Sequence, residues 1–292
     1  MSEYKSGFVS IIGKTNAGKS TLINYLSNEK IAITTYKPQT TRTAIRAIIN
    51  RKNSQIIFID TPGIHTPKNK FGNKMIGIAK EQVIDSDIVL FLIDGSKKEI
   101  GKEEATIISY LKEKRKKTIL IINKIDLIKK EELIKVIELY KDEYEFEAII
   151  PISSIKGKEK EKEEILDEIE KLLSPGPAYY DEEEYTDQTE RQIVEEVIRE
   201  KALKLLDKEI PHGIYVETEK LTQRKTTRGE DIYDIESIIY CLRNSHKGII
   251  IGKNGDMLKR IGQYARQDLE KMFQIKINLK IWVKIREDWQ DV

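Results

Sequence analysis

The stretch GFVSIIGKTNAGKSTLINYLS, residues 7–27, decides the first part of the fold. Six residues rich in β-formers, GFVSII at 7–12, read as a strand, and the amphipathic run at 18–27 reads as a helix. Between them Gly13-Lys14-Thr15-Asn16-Ala17-Gly18-Lys19-Ser20 satisfies G-x-x-x-x-G-K-[ST], in the strand–loop–helix setting that this pattern needs. A loop of this kind turns its backbone N–H groups and the helix start toward a phosphate. Lys19 then reaches the β- and γ-phosphate oxygens, Ser20 ligates Mg²⁺, and Thr21 stands beside it. Taken alone, the pattern fits an ATPase equally well.

Working outward, strand patterns recur at 43–50, 54–60, 87–94, 117–123 and 147–153, with helical patterns at 70–85, 101–115, 131–144 and 159–173. Alternation of this kind predicts an α/β domain, residues 1–173, built on a mostly parallel sheet with helices on both faces. The run from 174 to 188 holds prolines, a glycine and an acidic cluster, and reads as a linker. Residues 189–292 follow as helix, two strands, short helix, loop, helix and strand, the pattern of a separate small α+β domain. The strands are expected at 213–220, 230–241 and 275–285.

Composition bounds the function. The 292 residues are 34% charged and 39% hydrophobic with a net charge of +2, as in folded globular chains. No apolar run is long enough to span a membrane and no secretory signal is visible, so a cytoplasmic location is expected. Cys241, within SIIYCL, reads as a buried thiol without a role. Charge is uneven: between Arg243 and Arg286 eleven lysines and arginines face only Asp256, Asp268 and Glu270. Such a basic surface suits nucleic acid or anionic lipid, although a solvated lysine-rich face gives the same count.

Three further segments narrow the nucleotide. Asp60-Thr61-Pro62-Gly63, Asn123-Lys124-Ile125-Asp126 and Ser153-Ser154-Ile155-Lys156-Gly157 all stand at ends of expected strands, the edge where ligands of open α/β sheets bind. With the phosphate loop, and in this order, they resemble the guanine-nucleotide motifs of the P-loop NTPases of Ras-like, translation-factor type. The resemblance implies GTP or GDP with Mg²⁺. It gives Asp126 the guanine N1 and N2 protons, has Asn123 contact the base and its neighbouring loop, and places Lys124, Ser153, Ser154 and Ile155 around the base. The family has Ala where Ser154 stands, and Ser154 is expected to leave its N–H available to the base. Asp60 and Thr41 join Ser20 at the metal, with Thr40 the competing choice, and Gly63 senses the γ-phosphate. Ile64 occupies the position where Ras-like enzymes carry the glutamine that orients water, so unaided hydrolysis should be slow. Asn16 has two readings of equal standing: it holds a potassium ion that does the work of an arginine finger, or it stabilises the loop turn. His65, beside the second switch, could be drawn as a general base but reads as a solvent-facing loop imidazole. His212 and His246 have no Cys or carboxylate partners at metal-like spacing, and none of the three receives a role.

Near the C-terminus GIIIGKNGDMLKRIG, residues 248–262, carries a second glycine loop, Gly252-Lys253-Asn254-Gly255, between two helical patterns. A four-residue Gly-x-x-Gly is usually an ordinary turn. Here its place in the helix–strand order and its basic surroundings resemble a KH domain of the bacterial arrangement, type II, whose loop clamps single-stranded RNA. The RNA-facing residues would be Gly248, Ile249, Ile251, Gly252, Lys253, Asn254, Gly255 and Lys259. Ile249, Ile250, Ile251, Leu258 and Ile261 form either an apolar floor for bases or plain core.

A GTP-binding domain followed by a KH domain is similar to the Era-type bacterial GTPases over essentially the whole chain, including RQIVEEVIREKALKLL at 191–206 and IWVKIREDWQ at 281–290. That resemblance implies a GTP hydrolase acting as a switch on the 3′ end of 16S ribosomal RNA during assembly of the small ribosomal subunit. It also implies peripheral association at the inner face of the membrane; no oligomerisation signal stands out in the sequence, so a monomer is expected. Two rivals remain at this point: an RNA chaperone in which nucleotide is only a structural ligand, and a GTPase of the membrane surface.

Overall fold

The apolar runs of the first part are continuous rather than alternating, which is how strands covered on both faces read. IIFID, IVLFLID and TILIIN become β3 (Ser54–Asp60), β4 (Ile88–Asp94) and β5 (Lys117–Asn123). Together with β1 (Lys5–Gly13), β2 (Ile45–Arg51) and β6 (Ala148–Pro151) they form one sheet of order β2-β3-β1-β4-β5-β6. Every pairing is parallel except β2 with β3. The computed structural model describes residues 3–35, 45–61, 81–207 and 213–286.

Helices cover both faces of this sheet. On one, α1 (Lys19–Ser27) and α4 (Glu159–Leu172) bring Leu22, Leu26, Ile165 and Ile169 onto Ile11, Phe58, Leu90 and Ile121. On the other, α2 (Lys102–Lys114) and α3 (Lys130–Tyr140) bring Ile107, Leu111, Val136 and Tyr140 onto Val89, Phe91 and Leu120. Residues 88, 90 and 92 face one layer and 89, 91 and 93 the other, the period-two alternation of a strand between two helical layers.

The chain divides into two compact units at Asp187/Gln188, and the short piece from Ile33 groups with the second. The segment 174–187, expected as a free linker, is instead bound along the first unit. Gln55, fully buried, accepts from the Tyr179 and Tyr180 N–H groups at 2.7 and 3.0 Å and donates to the Tyr180 carbonyl at 2.8 Å. Ile48 N–H donates to Tyr185 O at 3.0 Å, and Thr186 donates to Arg46 O at 2.9 Å. The physical reason is the edge strand β2: its outer polar groups need partners, and this strap supplies them.

In the second unit a three-stranded sheet, order β7-β8-β9, carries helices on one face. Its elements are α5 (Glu190–Leu205), β7 (Ile214–Lys225), β8 (Asp231–Cys241), α6 (Asn244–Ile251), α7 (Asp256–Phe273) and β9 (Lys276–Ile285). α5 starts on a capping box between Thr189 and Gln192. Val194, Val197, Ile261, Ala265 and Leu269 pack onto Ile214, Ile235, Ile239 and Val283. β8 pairs antiparallel with β7 and parallel with β9. β7 runs five residues further than the sequence suggests, to Lys225, because a register shift between Thr218 and Lys220 keeps its polar end paired with β8.

Candidate functional site

The loop after β1 is built so that backbone reaches where side chains cannot. Gly18 sits at φ 105° as the residue before α1, and a Cβ there would lie 2.3 Å from Asn123 Nδ2. Only glycine fits both constraints. No side chain caps α1, so its first N–H groups point into the loop, a ready anion site. Lys19, 7% exposed, donates to the Gly13 and Lys14 carbonyls, both at 3.1 Å. Burial pulls its pKa down to about 8, opposed by the Asp60 carboxylate. The ammonium is therefore held in the loop's own cage, short of charge neutralisation that a phosphate would supply.

Ser20 Oγ donates to Asp60 Oδ2 at 2.8 Å, which brings the two expected metal ligands of the described chain together. A hydroxyl and a carboxylate are the hard oxygen donors that Mg²⁺ takes when it also binds phosphate, so the residues fit that ion. Thr61 is buried and spends its hydroxyl on the Ile11 carbonyl at 2.6 Å, pinning the end of β3 to β1. Ala17 is buried, and Lys14 pairs with Glu103 at 3.5 Å. Thr15 and Thr21 lie within the loop and first helical turn. Thr40, Thr41, Pro62, Gly63, Ile64 and His65 lie outside the described residues.

The base end is held by Asn123. Its Nδ2 donates to the Ala17 carbonyl at 2.8 Å, and its Oδ1 accepts from Ser154 N and Ser154 Oγ at 3.0 and 2.9 Å. One 2%-exposed side chain thus ties the phosphate loop, the end of β5 and the loop after β6. This corrects one expectation: the Ser154 N–H is not left for the base but is engaged by Asn123, and the hydroxyl that replaces the usual alanine adds a second bond.

Asp126 accepts from Ser153 Oγ at 2.7 Å and meets Lys156 at 3.4 Å. The Ser153 hydrogen bond, then Lys156, hold its carboxyl below the usual range against partial burial. A carboxylate kept charged at this place can accept two adjacent N–H groups of a guanine edge. Ile155 is 73% exposed beside it.

Sequence reading missed Asp94. It ends β4, and Lys124 Nζ bridges its Oδ2 to the Asn16 carbonyl, at 2.7 Å each. Burial pushes this carboxyl up, but hydrogen bonds from Lys124 and Ser96 outweigh it and hold it low. An aspartate closing an apolar strand at the ligand edge was the available signal. Asn16 itself adopts a left-handed φ of 65°, a region that asparagine enters more readily than most residues.

In the second unit the expected RNA residues gather at one junction. α6 ends at Gly252, φ 75°, where a Cβ would lie 2.7 Å from Met257 Cβ, so the chain turns there only as glycine. Gly252 N–H donates to Gly248 O at 2.9 Å, and the turn closes from Gly255 N–H to Gly252 O at 3.2 Å. Lys253, Asn254 and Lys259 are exposed, and Ile249 is 50% exposed beside Gly248. Ile251 and Leu258 are half-buried, whereas Ile250 and Ile261 are fully buried. The floor-or-core question thus splits: Ile250 and Ile261 are core, and Ile249 stands outward.

Comparison with known proteins agrees with this geometry in both units. The family model for 50S ribosome-binding GTPases matches residues 8–124, and that for KH domains matches 209–290. GTPase Era of Thermoanaerobacter sp. (strain X514) is 47% identical over 288 residues, covering 99% of this chain and 93% of that protein. The chain belongs to the Era family of GTPases.

GTPase Era of Clostridioides difficile (strain 630) is 48% identical over 290 residues, 99% of this chain and 96% of its own length. Among solved structures, Era in complex with MgGDPNP and nucleotides 1506–1542 of 16S ribosomal RNA superposes with a TM-score of 0.90 at 37% identity, covering 98% of this chain and 95% of that one. A variant of Aquifex aeolicus Era bound to GDP and AlF4⁻ gives the same TM-score at 36% identity and the same coverage. As an Era-family member the chain is a GTP hydrolase with a P-loop GTPase domain and a KH domain.

Proposed function

We propose that this GTPase uses its KH loop to hold the 3′ end of small-subunit (16S) ribosomal RNA and that GTP state times the hold during assembly of the small subunit. The observation that carries the reading is the exposed Lys253-Asn254 pair, bracketed by two glycines of positive φ at the start of α7. Backbone at such a loop can approach a sugar-phosphate chain closely, and Lys253 adds charge. The solved relative that carries MgGDPNP together with a 16S RNA fragment supports the same pairing of ligands.

In this reading Lys19 neutralises the β- and γ-phosphates, the α1 N–H groups cradle them, and Asp126 selects guanine. Ser20 and Asp60, with Thr41 by the family pattern, hold Mg²⁺. The ion would supply charge for the transition state and hold the segments around Thr41 and Gly63 until hydrolysis. Ile64 has no group to orient water, so turnover is expected to be slow until RNA, a protein partner or potassium held near Asn16 completes the site. We place the chain in the cytoplasm as a monomer, with its basic residues meeting anionic lipid at the inner face of the membrane. No described helix is long and apolar enough to cross a membrane.

The test is GTP hydrolysis with and without an RNA of 16S 3′-end sequence, repeated with Lys253→Asp and Asn254→Asp together. Stimulation by RNA that disappears in the double variant is the expected result. Undiminished RNA binding by that variant overturns the reading of the loop.

A further inference from the structure

The sheet of the second unit has a second face. Its inner residues, Ile235, Ile239, Ile277 and Val283, lie under α5 and α7. Alternation then sends Lys276, Asn278, Lys280, Trp282 and Lys284 of β9 outward, and the first, third and last are cations on an edge strand. Trp282 is 43% exposed, and its cross-strand neighbour Ile238 is fully buried. In the next row Lys284 stands beside Tyr240, which stands beside Tyr215. The two tyrosine rings stack, with centroids 6.2 Å apart and planes 22° from parallel, and the Arg286 guanidinium lies 5.8 Å from the Tyr240 centroid. Tyr215 is 38% exposed.

A cross-strand aromatic pair by itself stabilises a sheet and needs no ligand. That account covers Tyr215 with Tyr240. It leaves Trp282, 43% exposed, between Lys280 and Lys284 along β9 and in a cross-strand row with buried Ile238 and with Glu217. The face also holds carboxylates: Glu219 lies 3.6 Å from Lys284 and Glu236 lies 3.6 Å from Lys280. These are solvent-facing pairs of small worth, which a phosphate can replace. Aromatic planes flanked by lysine and arginine are the make-up of surfaces on which unstacked bases rest, each base finding a ring and each phosphate a cation.

The geometry points to this outer face as a second RNA contact, taking unstacked bases of the same RNA strand that the Gly252–Gly255 loop grips. The inference rests on the KH reading above. A Gly-x-x-Gly loop clamps about four nucleotides, so a fragment as long as nucleotides 1506–1542 extends well beyond it. The flanking strand reaches the sheet around its edge and stacks on Trp282, with Tyr240 and Lys284 next in line. A protein partner is the competing occupant.

The experiment uses the full chain and two RNAs: one with the sequence of nucleotides 1506–1542, and a short one from its 3′ end. Trp282→Ala and Tyr240→Ala are each expected to weaken the longer RNA about tenfold, the effect of one lost stacked base, while the short RNA binds unchanged. Lys284→Glu should weaken only the longer RNA and flatten its salt dependence. Trp282→Phe, which keeps a ring, should restore most of the affinity. Equal binding of the longer RNA by all four variants overturns the inference and leaves the face to a protein. Parallel loss on both RNAs also overturns it, since the effect then comes through the loop or the fold. If the native chain binds neither RNA, the KH reading itself fails, an outcome distinct from both.

Discussion

The lysine of the phosphate loop makes nucleotide affinity depend on pH in a direction that burial dictates. Lys19 titrates near pH 8 in the nucleotide-free chain, against about 10.4 for an ordinary lysine. A bound phosphate stabilises the charged form and returns the pKa to its ordinary value or higher. Binding above pH 8 therefore takes up a proton, and affinity must fall as pH rises between the two values. From pH 7 to pH 9 the loss is about tenfold, or about 1.4 kcal/mol. The assay is titration of a fluorescent GDP analogue in steps across that range at fixed ionic strength, with calorimetry to count the proton taken up. Lys19→Met should bind far more weakly and show no such slope. The sign for folding is the opposite: a lowered lysine pKa means that the unfolded chain binds the extra proton, so this group adds stability as pH rises from 8 toward 10. An affinity profile flat from pH 7 to 9 in the native chain refutes the claim that burial has depressed Lys19.

Other perturbations have equally definite outcomes. Asn123→Ala removes three hydrogen bonds and leaves the Ala17 carbonyl and Ser154 N–H without their partner, so the first unit should lose about 3 kcal/mol in urea titration and bind GDP more weakly. Asp126→Asn replaces an acceptor pair by an amide that also donates; GDP should weaken sharply and xanthosine diphosphate improve, measured by competition. Gln55→Leu strips the strap of three bonds, so the Tyr179 and Tyr180 amides should exchange with solvent faster and residues 174–187 become open to protease, with GDP binding retained. Phe91→Ala opens a hole beside Tyr140 in a layer with no exposed side, and about 3–5 kcal/mol of stability should go with it.

Much of this arrangement was legible in the chain because it rests on local chemistry. The continuous apolar runs gave strands within a residue or two, and the phosphate loop fixed both the strand before it and the helix after it. What escaped was set by distant partners. Asp94 looks like any strand-end aspartate until Lys124, thirty residues later, closes on it. LTQRK at 221–225 has no strand alternation, and it is extended because β8 pairs with it and Asp234 binds Arg224 at 2.5 Å. The proline- and acid-rich stretch before the second unit has the composition of a linker, yet a buried glutamine and an open edge strand recruit it. Ser154 reads as a neutral replacement because its partner Asn123 lies thirty-one residues earlier, and only the fold brings the hydroxyl onto that side chain.

The two glycine loops use one device, backbone N–H groups at a helix start beside a lysine, but differ in burial. Lys19 is enclosed, caged by loop carbonyls and braced through Asn123, so its surroundings are fixed before a ligand arrives and suit a small anion of one shape. Lys253 is exposed on a turn closed only by its own backbone, so nothing around it limits the length of what binds. An enclosed cage discriminates among nucleotides because a misplaced atom meets backbone. An open turn admits a polymer from the side and takes its specificity from whatever surface the polymer touches next. The outer face of this unit's β-sheet carries both rings and cations, and on the inference above the length of the RNA, more than the sequence at the loop, should decide how tightly it is held.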